Sequence, residues 1–185
     1  MAGWAEATAL LVIDMQRGYD SEEQYGLRNN PGCEMNIGML LEAWRSQGWP
    51  VVTVQYDDPD EYSLLRPGTS GNALKPVAAG EADLSVRKSV QSAFFGRPDL
   101  HAWLQENGIK SVAVCGVRTN TSCEVTARMA ADLGYEVLFV MDATYTFDLK
   151  GPDGVVLRGR ELAKTTGMNL EFAGCRVMYT SELVG

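Results

Sequence analysis

Three places in the chain put chemistry-bearing side chains at or just after the ends of expected strands. Asp14 closes Leu10-Leu-Val-Ile-Asp14, and Lys88 closes the short run that starts at Leu84. Ser122 and Cys123 follow the run Ser111-Val-Ala-Val-Cys-Gly116 after a tight turn. A carboxylate can carry a proton, a lysine can hold negative charge in place, and a hydroxyl or thiol can attack an acyl carbon. The single histidine, His101, stands in Pro98-Asp-Leu-His-Ala-Trp-Leu104, the first turn of a helix, and is assigned a surface role. A Ser-His or Cys-His hydrolase needs a histidine base, and a histidine-rich zinc site needs several. Chemistry here is therefore expected to run on carboxylate, lysine and hydroxyl or thiol. Taken singly, each candidate has an ordinary explanation. A strand-end Asp forms turns, a strand-end Lys is a solvated cap with Arg87 beside it, and Ser or Thr at a helix start is an N-cap.

The elements that must position these residues can be read from the apolar patterning. Strands are expected at Leu10–Asp14, Val51–Gln55, Leu84–Lys88, Ser111–Gly116, Glu136–Met141 and Arg176–Tyr179. Between them lie helical patterns at Met35–Gln47, Leu100–Asn107, Cys123–Leu133 and Arg160–Leu170, with Gly48, Gly108 and Gly134 as stops. Continuous apolar strands alternating with helices predict an α/β fold: three αβα layers around a doubly wound, mainly parallel, six-stranded sheet. In such sheets ligands sit at the carboxyl ends of the strands, where Asp14, Lys88 and the turn after Gly116 all fall. The stretch from Asp57 to Asp83, rich in Pro and Gly, is long enough for a lid, a binding loop or an oligomer arm.

The bulk numbers fit one domain over residues 1–185, with 45% apolar and 22% charged residues. A net charge of −8 without a Lys/Arg cluster argues against a nucleic-acid partner. No apolar run approaches a membrane span, so no membrane partner is expected. No secretion signal is visible, and the chain is read as cytoplasmic, with its four cysteines free.

An Asp, then a Lys, then a strand–elbow–helix turn on successive parallel strands resembles the isochorismatase-like cysteine hydrolase superfamily. The matching stretches are Leu11-Val-Ile-Asp-Met-Gln16, Val86 to Phe94, Gly116 to Ala130, and Asp142-Ala-Thr-Tyr-Thr-Phe-Asp148. The last is similar to the streptothricin-hydrolase and N-carbamoylsarcosine-amidase-like branch. Gly116, Thr119, Asn120 and Thr126-Ala127 fix the register, and the family's cysteine position then falls on Ser122. Ser122 is either a natural departure or a Cys→Ser replacement. The competing reading moves the role to Cys123, one helical step and about 100° away, and needs a shifted turn.

The resemblance implies hydrolysis of a C–N bond in a small amide, lactam or ureide. Asp14 takes and returns a proton, Lys88 lowers the Asp14 pKa and favours thiolate, and residue 122 is the nucleophile. The backbone N–H groups of Arg118 and Ser122 would bind the oxyanion, with a cis Val117–Arg118 peptide. Tyr19, Phe94 and Tyr145 would contact substrate. Metal-binding members carry histidines after the second strand. Gln55-Tyr-Asp-Asp-Pro-Asp60 has none, so neither a metal nor another cofactor is expected, and Asp57, Asp58 and Asp60 read as a solvated acidic loop. Relatives imply a homo-oligomer. Two rivals stand: a vinyl-ether hydrolase using Asp14 as general acid without a nucleophile, and a non-catalytic ligand-binding relative.

Overall fold

The computed structural model describes residues 8–184. Six strands form one sheet in the order β3-β2-β1-β4-β5-β8. They are β1 (Thr8–Ile13), β2 (Val51–Tyr56), β3 (Leu84–Lys88), β4 (Ser111–Val117), β5 (Glu136–Tyr145) and β8 (Arg176–Met178). Every neighbouring pair in this sheet is parallel. The alternation of side chains along β1 explains the layering. Leu10 and Val12 enter one core with Ile37, Leu40, Leu41 and Trp44 of α2 (Cys33–Gln47). Ala9, Leu11 and Ile13 enter the other, with Leu100 and Leu104 of α3 (Leu100–Glu106), Ala127 and Ala130 of α4 (Glu124–Asp132) and Leu170 of α5 (Gly159–Phe172). Both faces of the sheet are thus covered, and a three-layer αβα, doubly wound arrangement follows.

The chain runs outward from β1 through β2 to β3, then returns to place β4 beside β1. That reversal opens a crevice at the carboxyl ends of β1 and β4, the usual ligand position in such sheets. Gly116 lets the two strand ends approach. Its φ is +121°, and a Cβ there would lie 2.0 Å from the Ile13 carbonyl oxygen.

Two regions depart from the sequence expectation. β5 continues past Met141 to Tyr145, because the register against β4 jumps from Val114↔Phe139 to Gly116↔Thr144. A bulge of this kind absorbs extra residues and keeps the strand going, so the strand expected to end at Met141 runs four residues further. Short elements also carry no readable period: α1 (Glu22–Tyr25), the hairpin β6 (Leu149–Lys150) with β7 (Val156–Leu157), and α6 (Thr180–Leu183).

Residues 57–83 are tied down on the protein. The Asn72 side-chain amide donates to the Leu65 carbonyl at 2.6 Å and the Tyr56 carbonyl at 3.0 Å. The Asn72 backbone carbonyl accepts from the side-chain amides of Gln16 at 2.9 Å and Gln55 at 2.6 Å. No described helix is long and apolar enough to cross a membrane.

Candidate active site

Asp14 follows the last residue of β1 in a left-handed conformation, φ +48°, the one positive φ outside glycine among the described residues. Asp tolerates this region better than most residues. Its N–H donates to the Val54 carbonyl at 2.9 Å, and Gln16 N–H returns to the Asp14 carbonyl at 2.7 Å. Lys88 ends β3, two strands away, and spans the end of β2, where its ammonium lies 4.9 Å from the Tyr56 ring centre. It reaches Asp14 Oδ2 at 2.7 Å and Ser122 Oγ at 3.2 Å. The Ser122 hydroxyl donates to Gln91 Oε1 at 3.2 Å. The Asp14 and Lys88 side chains are fully buried, and Ser122 is 4% exposed.

Burial raises the Asp14 pKa above its ordinary value, against the opposing charge and hydrogen bond of Lys88 and a smaller contribution from Ser122. This corrects the expectation that Lys88 would leave Asp14 with a lowered pKa. The lysine acts in that direction, but loss of water around a fully buried carboxylate outweighs it. Asp14 Oδ1 is buried without a hydrogen-bond partner.

The elbow after β4 is held by the residues that set its register. The Arg118 carbonyl accepts from both Thr121 and Cys123 N–H at 3.2 Å, a wide helical turn that runs directly into α4. The Val117–Arg118 peptide is cis. Thr119 Oγ1 donates to Thr144 Oγ1 at 2.9 Å, and Thr146 Oγ1 donates to Asn120 Oδ1 at 2.5 Å, fastening the elbow to the end of β5. Thr126 Oγ1 accepts from Ala93 N–H at 3.1 Å, which fastens α4 to the turn after Gln91.

In this turn Ser122 and Cys123 face opposite ways. Ser122 lines a cleft of about 340 Å³. Cys123 is fully buried among Ala127, Ala130 and Val114, and burial pushes its thiol well above the ordinary range. A thiol so placed is protonated and out of reach of the cleft.

Tyr19, Tyr25 and Tyr56 form the aromatic part of the cleft wall, and Arg118, Thr121 and Gln91 stand near Ser122. Asp58, Asp60, Tyr62, Ser63 and Leu65 bring residues 57–83 into the wall, so that connection is part of the cleft. Asp57 faces elsewhere and pairs with Arg87. Among the described residues no group of three His, Cys, Asp or Glu is arranged to hold a metal ion.

Two residues expected to contact substrate lie elsewhere. The Phe94 ring, 8% exposed, turns back into the core, 6.1 Å from Tyr135 and 6.5 Å from His101. Tyr145 is fully buried, its ring 4.9 Å from the Arg28 guanidinium and 5.2 Å from the Lys75 ammonium. Neither lines the cleft. Both belong to the packing that supports it, which an aromatic in a motif does not announce. Several cleft residues, Tyr25, Tyr56 and Gln91 among them, carry roles the sequence did not suggest. Gln91 falls inside a matching stretch but has no periodic signal, and Arg118 was expected to act through its backbone alone.

A doubly wound sheet with Asp and Lys at strand ends and a hydroxyl on the facing elbow defines a strand-end hydrolase-type site. The isochorismatase domain model matches residues 8–165, and the chain belongs to the isochorismatase family of hydrolases. It is similar to the uncharacterized isochorismatase family protein YrdC of Bacillus subtilis, at 33% identity over 97% of this chain and 95% of that protein. Nicotinamidase 3 of Arabidopsis thaliana is 31% identical over 91% of this chain and 82% of its own length. A streptothricin hydrolase of Streptomyces noursei is 33% identical over 76% of this chain and 50% of its own length. Among solved structures, a putative isochorismatase-family hydrolase from Chromobacterium violaceum is 34% identical, with a TM-score of 0.91, covering 97% of this chain and 92% of its own.

Proposed function

We propose that this chain hydrolyses a C–N bond in a small amide, lactam or ureide, through Asp14, Lys88 and the residue at position 122. The observation that carries this reading is the buried Lys88 ammonium, bonded at once to Asp14 at 2.7 Å and to Ser122 at 3.2 Å on the cleft wall. The nicotinamidase and streptothricin hydrolase relatives support amide chemistry.

In this reading the nucleophile at 122 attacks the carbonyl carbon and passes its proton to Asp14. Negative charge on the carbonyl oxygen is met by the backbone N–H groups of Arg118 and Ser122. The C–N bond then breaks as Asp14 returns the proton to the leaving nitrogen. Water cleaves the acyl-enzyme with Asp14 again as base. A serine suits this poorly. A thiol has a pKa of about 8.5, and an alkyl hydroxyl is far more basic, so one carboxylate is a weak base for it. Turnover with Ser122 is slow, and Ser122→Cys raises amine or ammonia release by about 10²-fold or more. No gain in a folded Ser122→Cys protein sinks this reading.

One observation favours a second reading. The Ser122 hydroxyl donates to Gln91, and Asp14 combines a raised pKa with an unpartnered oxygen. Asp14 as general acid on a vinyl ether, with no nucleophile, fits those facts. Pyruvate release in place of amine or ammonia from matched substrates distinguishes the two.

A further inference from the structure

Three arginines are half-buried in this protein: Arg28, Arg118 and Arg128. Arg28 pairs with Glu34, and Arg128 pairs with Glu124 at 3.1 Å. Arg118 pairs with no carboxylate among the described residues, and its Nε is buried without a hydrogen-bond partner. The guanidinium lies 5.6 Å from the Phe147 ring centre, and its charge is felt at Tyr19 and Tyr25 on the cleft wall. Asp58 and Asp60 line the same cleft, yet neither forms an ion pair with it. A buried N–H without an acceptor on a partly buried guanidinium is unfavourable in the empty protein, and it becomes favourable when a ligand brings the missing acceptor. A guanidinium presents a rigid planar fork that matches a carboxylate with two parallel hydrogen bonds.

We infer that Arg118 is a specificity-determining residue of this cleft, taking the carboxylate of an amide substrate whose scissile carbonyl lies against residue 122. The inference rests on the amide-hydrolase reading of the site. Both signs of charge line the cleft. Arg118 stands beside the elbow, and Asp58 and Asp60 come from the connection between β2 and β3. A substrate with one carboxylate is drawn inward, and a second negative charge near the acidic wall is repelled. The preferred class is therefore a monocarboxylate amide.

The test is binding, read by isothermal titration calorimetry on the full chain. The probes are malonamic, succinamic and glutaramic acids and their methyl esters. At least one acid binds the wild-type protein about tenfold or more tightly than its ester, Arg118→Gln removes that preference, and Arg118→Lys keeps part of it. No acid preferred over its ester in the wild-type protein, or a preference that survives Arg118→Gln, overturns the assignment. The melting temperature separates this role from packing on Phe147. Arg118→Gln leaves it unchanged or raised, because an unpaired charge is removed. A fall of several degrees with the preference intact assigns Arg118 to structure. Cleavage is not read in this assay, so acid preference in a protein that releases no ammonia even as Ser122→Cys supports Arg118 while refuting the amidase reading.

Discussion

Lys75 and Lys88 are both buried, each with 3% of its surface exposed, and each is held by two partners. Lys75 meets two carboxylates, Asp20 at 2.5 Å and Glu34 at 2.8 Å, whose side chains are 60% and 27% exposed. Lys88 meets one carboxylate and one hydroxyl, and its carboxylate partner is fully buried. The first lysine is neutralised by Asp20, which stays largely in water, and by Glu34, which Arg28 shares and whose other oxygen is also buried without a partner. Burial works against its charge, but the hydrogen bonds to Asp20 and Glu34 outweigh that and hold it above its ordinary pKa. It fastens residues 57–83 to α2 and to the turn after β1. The second lysine shares one desolvated carboxylate whose other oxygen has no partner. A pair of that kind is a poor staple, because desolvation offsets much of the attraction. It is well suited to moving a proton, because Asp14 is kept from full comfort as an anion.

The largest expected difference between the two lysines is in activity. In the Ser122→Cys form, Lys88→Met lowers kcat/KM by about 10²–10⁴-fold, the usual worth of a group that holds a proton-transfer pair in place. It also destabilises the fold by about 3–5 kcal/mol, because Asp14 is left buried and unpaired. Asp14→Asn combined with Lys88→Met costs less than the sum of the two single changes, which denaturant titration of all four proteins reads. Full additivity would mean that the two groups do not share a buried pair. The pH profile sharpens the contrast. Asp14 must be ionised to act as base, so activity falls as pH drops through its raised pKa, and the acid limb lies above the ordinary value of 3.8. In Lys88→Met that limb moves higher still, since the lysine opposes the shift.

Lys75→Met behaves differently. Asp20 is already in water and Glu34 keeps Arg28 as a partner, so the loss is about 1–3 kcal/mol, kcat changes little and KM rises as the cleft wall loosens. The sign of the pH effect follows from a raised ammonium pKa. Lys75's contribution is fully present below its unfolded value near 10.5 and is lost as pH rises through the folded value above it. Chemical denaturation from pH 9 upward shows a decline in the wild-type protein that Lys75→Met lacks. A Lys75→Met protein that loses kcat as severely as Lys88→Met would erase the distinction.

Sequence patterning captured the sheet because β1, β4 and the first half of β5 are nearly unbroken apolar runs, and burial on both faces leaves little else for such runs to do. Asp14 was legible as the polar residue at which an apolar run ends, and Lys88 as the base that closes a short strand. Ser122 needed the register set by Gly116, Thr119 and Thr126. Those residues turn out to be the ones that close approach and side-chain hydrogen bonds tie to β1, β5 and the Gln91 turn. What could not be read depends on distant contacts. Lys75 looks like a loop lysine until Asp20 and Glu34, 55 and 41 residues away, converge on it. The extension of β5 depends on a bulge against β4, and Phe94 and Tyr145 differ from Tyr19 only in which way their backbone aims the ring.

Gln91 gives the smallest and most diagnostic effect. It accepts the Ser122 hydroxyl proton at 3.2 Å while Lys88 donates to the same oxygen, so it positions the hydroxyl without touching the Asp14 carboxylate. Gln91→Ala changes kcat by a few-fold in the serine form, about 0.5–1.5 kcal/mol, with KM nearly unchanged. In the Ser122→Cys form the same change does less, because a thiol is a weak donor and gains little from the amide oxygen. The interaction energy from the four-protein cycle isolates the contact. A Gln91→Ala effect of equal size in both forms, carried in KM, would instead make Gln91 a residue that binds substrate and leave the positioning of residue 122 to Lys88.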